Sequence, residues 1–60
     1  MMIKVDIIAT ADQVERKWSA LTDFQKVEVT LARALRKPLV CTVLQDGENT
    51  ILYSVGVQHG

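Results

Sequence analysis

The chain has 60 residues, 48% of them hydrophobic, and its seven basic residues are balanced by seven acidic ones. That length makes one domain, 1–60, of marginal stability, since a domain this small buries only about 60% of the surface its unfolded chain exposes. The apolar content excludes disorder, and the even charge balance excludes a global electrostatic drive toward nucleic acid or anionic lipid.

Cys41 is the only cysteine and His59 the only histidine. An intrachain disulfide is therefore excluded, and the pair falls short of the ligand set a structural metal needs. Self-association is the remaining way to supplement a small core. A lone cysteine fits a reducing compartment, and the uncharged run Pro38 to Gln45 is too short to span a membrane. A cytoplasmic protein without a cofactor is expected.

Residues 3–8 alternate in polarity. Ile3, Val5 and Ile7 share one face of a predicted strand, and Lys4 and Asp6 share the other. Ile8 falls on the polar face, where a partner chain is expected to cover it. Thr10-Ala-Asp-Gln13 then forms a capping box, with Asp12 placed to complement the helix dipole. Val14, Trp18 and Leu21 follow at helical spacing.

A second capping box appears at Thr22-Asp-Phe-Gln25, followed by Phe24, Val27, Leu31, Ala34 and Leu35. At ~100° per residue the two apolar stripes centre roughly a quarter-turn apart. One straight helix would carry one stripe, so a break near Leu21–Asp23 is expected. A single helix with a wide apolar face is the alternative. Pro38 ends the helical segment.

The last third reads as a hairpin around Asp46-Gly47. A loop over 46–49 pairs Leu44 with Ile51, Thr42 with Tyr53 and Val40 with Val55 on one face. Val43/Leu52 and Cys41/Ser54 fall on the other. The residues from Ile51 to Val57 carry no charge, which suits a central strand, and Pro38 suits an edge. The expected fold is a small α+β domain of β-α-β-β order, with a three-stranded sheet ordered 1-3-2 and a right-handed crossover.

Little in this pattern supports catalysis. Cys41 lies inside a predicted strand as a small hydrophobe, and His59 lies in a terminal tail. The seven carboxylates read as caps, solvated faces and a turn. The chain resembles the small tautomerases in length and element order. Their activity rests on an N-terminal proline amine, whereas position 2 here is Met2 and the only proline is Pro38, so that activity is not implied. Val14-Glu-Arg16, Leu21-Thr-Asp-Phe-Gln25 and Leu31-Ala-Arg-Ala-Leu35 resemble the opening of phage minor tail proteins of the Z type, over residues 3–36. That family continues in helix where this chain has Pro38 and a hairpin. The resemblance implies a phage or prophage origin and carries over no functional residue.

The functional expectation is a non-enzymatic protein-interaction module, a phage- or mobile-element-encoded inhibitor or accessory protein acting as a homodimer. Trp18, Val43, Leu52 and Ile8 are the expected partner-binding residues, because apolar groups stand on both faces of the hairpin and Trp is a frequent binding anchor. The alternative is nucleic-acid binding through the basic helix face Lys26, Arg33, Arg36 and Lys37.

Overall fold

The computed structural model describes residues 1–58; His59, read above as part of a terminal tail, lies outside them. The described chain runs β1 (Met2–Ala9), α1 (Ala11–Lys17), α2 (Asp23–Leu35), β2 (Leu39–Asp46) and β3 (Asn49–Val57). The strands form one antiparallel sheet, and both helices pack on one of its faces.

Both helix starts are set locally. Thr10 Oγ1 accepts from the Gln13 backbone N–H at 3.2 Å, and Gln13 Oε1 accepts in return from the Thr10 N–H at 2.9 Å. Thr22 and Gln25 repeat the exchange at 3.2 and 3.0 Å. Each box satisfies two N–H groups that have no partner within the helix. Gln25 is the one buried polar side chain among the described residues, and the box supplies its partner.

The segment is therefore two helices, with the break where the second cap begins. Replacing Thr22 by alanine is expected to lower stability by about 1 kcal/mol, the usual cost of losing an N-cap oxygen. Urea titration reads this directly. A midpoint that holds or rises would mean that the cap contributes nothing, because alanine is the better helix former.

At its other end α2 closes with Arg36 in the left-handed conformation, φ 55° and ψ 42°. The Lys37 N–H reaches back to the Ala32 carbonyl at 3.0 Å. This is the Schellman arrangement, made here by an arginine where glycine is the usual residue.

The break decides the topology. α2 doubles back along α1, and Arg33 near its C-terminal end pairs with Asp12 and Glu15 of α1 at 3.2 and 2.9 Å. The helical segment thus returns the chain to the end of the sheet where β1 finished. Leu39 starts β2 directly beside Ala9, and β2 runs back antiparallel to β1. The hairpin then adds β3 to the free edge of β2, giving the order β1-β2-β3.

The expected order 1-3-2 is therefore wrong. It assumed that the helical segment travels the length of the sheet and feeds a strand parallel to β1. Two helices folded against each other give almost no net travel. The central strand is β2, not the charge-free β3. Pro38 immediately precedes β2, outside the ladder, so its missing N–H leaves no gap in the sheet.

The hairpin is tighter than expected, with Asp46 opposite Asn49 and only Gly47 and Glu48 between the strands. Gly47 has φ 61°, and Glu48 is not among the residues with positive φ. That combination is the type II′ turn, whose first central position favours glycine.

Leu44/Ile51 and Val43/Leu52 pair as expected. A register shift between Thr42 and Val43 then changes the remaining pairs: Thr42 faces Ser54, Cys41 faces Val55 and Val40 faces Gly56. Tyr53 is the extra residue of this β-bulge. One inserted residue reverses the alternation beyond it. Val55, expected opposite Val40, instead joins Leu39, Cys41 and Val57 beneath the helices.

The core sits at one end of the sheet. It comprises Ala9, Leu39, Cys41, Val55 and Val57 from the strands and Ala11, Val14, Val29 and Ala32 from the helices. Small side chains on the helices let them approach the sheet closely. Ile3 and Val5 point to the same side of the sheet but lie beyond the helical layer and stay exposed.

Candidate interaction surface

The four expected contact residues do not share a surface. Val43 is only 4% exposed, turned toward the helical layer. Its neighbour Leu52 is half-buried and packs against the core, as do Trp18 and Leu21 at the turn between the helices. Ile8 is 62% exposed on the opposite side of the sheet. The face of the hairpin that carries Val43 and Leu52 is thus the one the helices cover.

The uncovered face is built by the other residues of each strand. β1 contributes Met2, Lys4, Asp6 and Ile8. Val40, Thr42 and Leu44 of β2 stand opposite Ile8, Asp6 and Lys4 in turn. β3 adds Ile51 opposite Leu44 and, through the bulge, both Tyr53 and Ser54. Ile51 is 53% exposed.

The centre of this face is polar and ordered. The Thr42 hydroxyl donates to Asp6 Oδ1 at 2.7 Å. Lys4 Nζ lies 4.7 Å from the centre of the Tyr53 ring, within cation–π range. Ile8, Val40, Leu44 and Ile51 surround that centre. The result is a mixed face: apolar anchors around one aromatic ring, with a cation and an anion already held in place. Simple alternation from Ile51 already sets Tyr53 on this side; the bulge after it, not legible in the sequence, adds Ser54 to the same face and turns Val55 inward.

A second exposed apolar surface lies on α2. Gln25, Val29 and Ala32 face the core. Phe24 at 69%, Val27 at 63%, Leu31 at 45% and Leu35 at 50% exposure form a stripe on the other side of the helix. A shallow depression of about 430 Å³ runs beside it, lined by Lys26, Val27, Thr30, Leu31 and Ala34. In the sequence Phe24, Val27, Leu31 and Leu35 form the apolar stripe of the second helical segment, the side of an amphipathic helix that ordinarily faces a core. The actual core side of α2 is narrow and made of small residues, which periodicity alone does not distinguish from the wider stripe.

Of the expected basic ridge, Lys26, Arg36 and Lys37 are exposed. Arg33 is committed to an ion-paired bridge between the helices. Glu15 first and Asp12 second push its guanidinium above its already basic ordinary value. The bridge leaves the ridge without its central member.

Cys41 is fully buried in the central strand. Burial pushes its thiol up from the ordinary value of 9.0, the opposite of what a reactive thiolate needs. This has a consequence for stability. Below pH 9 the thiol is neutral in both folded and unfolded chains. Above it the unfolded chain loses its proton first, so the folded state binds more protons and stability falls as pH rises.

A decline above pH 9 of at most about 1.4 kcal/mol per pH unit is expected from Cys41, ending once pH passes the raised folded value. Comparing the alkaline slope of the parent chain with that of Cys41→Ala, by denaturant titration, isolates the effect. Equal slopes would show that the thiol is not desolvated.

Among the described residues, no group of three or more His, Cys, Asp and Glu side chains is placed to hold a metal ion. No helix among them is long and apolar enough to cross a membrane. Comparison of the chain with protein-family models, with curated proteins and with solved structures gives no match.

Proposed function

We propose that this chain is a non-enzymatic protein-interaction module that acts as a homodimer and engages another protein through the uncovered face of its sheet. The observation that carries the reading is the one-sided helical layer. It leaves Ile8, Ile51 and Tyr53 exposed together on a face that a lone domain would normally make polar. Tyr53 sits among apolar neighbours with Lys4 and Asp6 beside it, the mixture found at the centre of specific interfaces.

The burial of the Cys41 thiol, the exposure of Asp6, Asp12, Glu15, Asp23, Asp46 and Glu48, and the use of the partly buried Glu28 to accept from the Val57 N–H at 3.3 Å support a binding role over a catalytic one. The engagement of Arg33 with Asp12 and Glu15 favours a protein partner over nucleic acid, because a phosphate-binding ridge needs its cations free.

Affinity capture from the native host with the intact chain, compared with Ile8→Glu and Ile51→Glu, tests the reading. A partner retained by the parent and lost with both variants, and bound again when purified, supports it. Binding to generic DNA that falls steeply with salt and disappears in Lys26→Gln/Arg36→Gln/Lys37→Gln would overturn it.

A further inference from the structure

We infer that the homodimer forms through α2, packed antiparallel against α2 of a second copy about a two-fold axis passing between Val27 and Leu31. The inference rests on the homodimer reading above and names its interface. Phe24, Val27, Leu31 and Ala34 recur at the alternating three- and four-residue spacing of a helix–helix seam, and Leu35 widens it. No charged residue interrupts that stripe.

The accessible surface of the chain is 4436 Å². A compact monomer of 6.7 kDa is expected to expose about 3,900 Å². The excess, roughly 500 Å², is shared between the α2 stripe, the uncovered sheet face and the exposed residues of β1, so the α2 stripe can supply at most one side of a small interface. That area lies below the standard size for a stable complex, so the dimer is reversible and dissociates on dilution in the micromolar range.

Charge selects both the direction and the surface. Asp23 opens α2, and Arg36 and Lys37 follow its last turn. An antiparallel pair brings Asp23 of each copy toward Arg36 and Lys37 of the other, and it opposes the two helix dipoles. A parallel pair would set like charges together at both ends. Phe24 of the second copy then meets small Ala34, beside the shallow depression lined by Lys26, Thr30 and Leu31.

Stacking two uncovered sheet faces would instead bury Lys4 and Asp6 at the centre of the contact. Desolvating those charges is costly. The α2 stripe carries no such penalty, and its use leaves the sheet face free for another protein.

Sedimentation of the full chain across the micromolar range tests this, with Leu31→Glu and Ile51→Glu alongside. The parent is expected to move from 6.7 kDa toward twice that mass. Leu31→Glu should stay monomeric, its dimer weakened by at least about 30-fold, since each interface would bury two carboxylates. Ile51→Glu should dimerise like the parent. A parent that stays monomeric throughout overturns the homodimer reading as well. A dimeric parent with a dimeric Leu31→Glu overturns only the assignment to α2. Circular dichroism checks that the variants fold. If Leu31→Glu does not, amide shifts of the unsubstituted protein on dilution decide. Changes over residues 23–36 support the inference, and changes centred on Ile8, Leu44, Ile51 and Tyr53 overturn it.

Discussion

Leu39→Ala is expected to leave the protein largely unfolded at 37 °C. Leu39 is the largest of the fully buried side chains, with no exposed surface. It starts the central strand between Ala9 and Val57, under the helical layer. Truncating a buried leucine costs about 2–5 kcal/mol, from lost transfer energy plus the cavity left behind. The neighbours here are Ala9, Val57 and residues of similar size, too short to collapse into the space, so the upper half of that range applies. Total stability on the scale of about 0.05–0.15 kcal/mol per residue leaves a chain this short little more than that loss. Thermal denaturation followed by circular dichroism should show a broad transition, or none, in the variant. A melting temperature within a few degrees of the parent's would mean that the core tolerates the cavity by repacking.

The second large effect separates two adjacent residues. Leu52→Glu should unfold or severely destabilise the protein, whereas Ile51→Glu should leave the fold intact. Leu52, like Trp18 and Leu21, is partly buried against the core. Replacing it removes part of the about 1.5–3 kcal/mol that full burial of a leucine contributes and forces a carboxylate toward a low-dielectric region, at further cost. Ile51 is 53% exposed on the uncovered face, where a charge remains in water. The measurement is the denaturation midpoint of each variant. Similar midpoints for the two would contradict the assignment of the hairpin's faces. The contrast matters for function too: a loss of binding in Leu52→Glu would report unfolding, while a loss in Ile51→Glu would report a lost contact.

What the sequence determined by itself is local. Both capping boxes were readable because the donor and acceptor of each exchange lie within four consecutive residues, Thr10 to Gln13 and Thr22 to Gln25. The break between the helices followed from them and from the change of stripe direction. β1 was readable because alternation over Ile3 to Ile7 has one consistent period, and the hairpin because Asp46-Gly47 offers a glycine where the turn needs φ near 60°. The pairing next to the turn was equally legible, since register there is counted outward from the loop.

What only the tertiary structure decided is how these pieces face one another. Strand order depended on where the helical segment delivers the chain, and that is set by α2 folding back on α1 through Arg33, Asp12 and Glu15. The bulge at Tyr53 reversed the alternation of β3 and sent Val55 and Val57 into the core. Neither event leaves a mark in hydrophobic periodicity, because both faces of the hairpin and both sides of α2 are apolar. In a chain with more apolar surface than its helices can cover, the pattern shows that some of it must stay outside. Packing alone selects which: the small residues Ala11, Val14, Val29 and Ala32 allow close approach and take the core, while the larger Phe24, Leu31 and Ile51 are left in water.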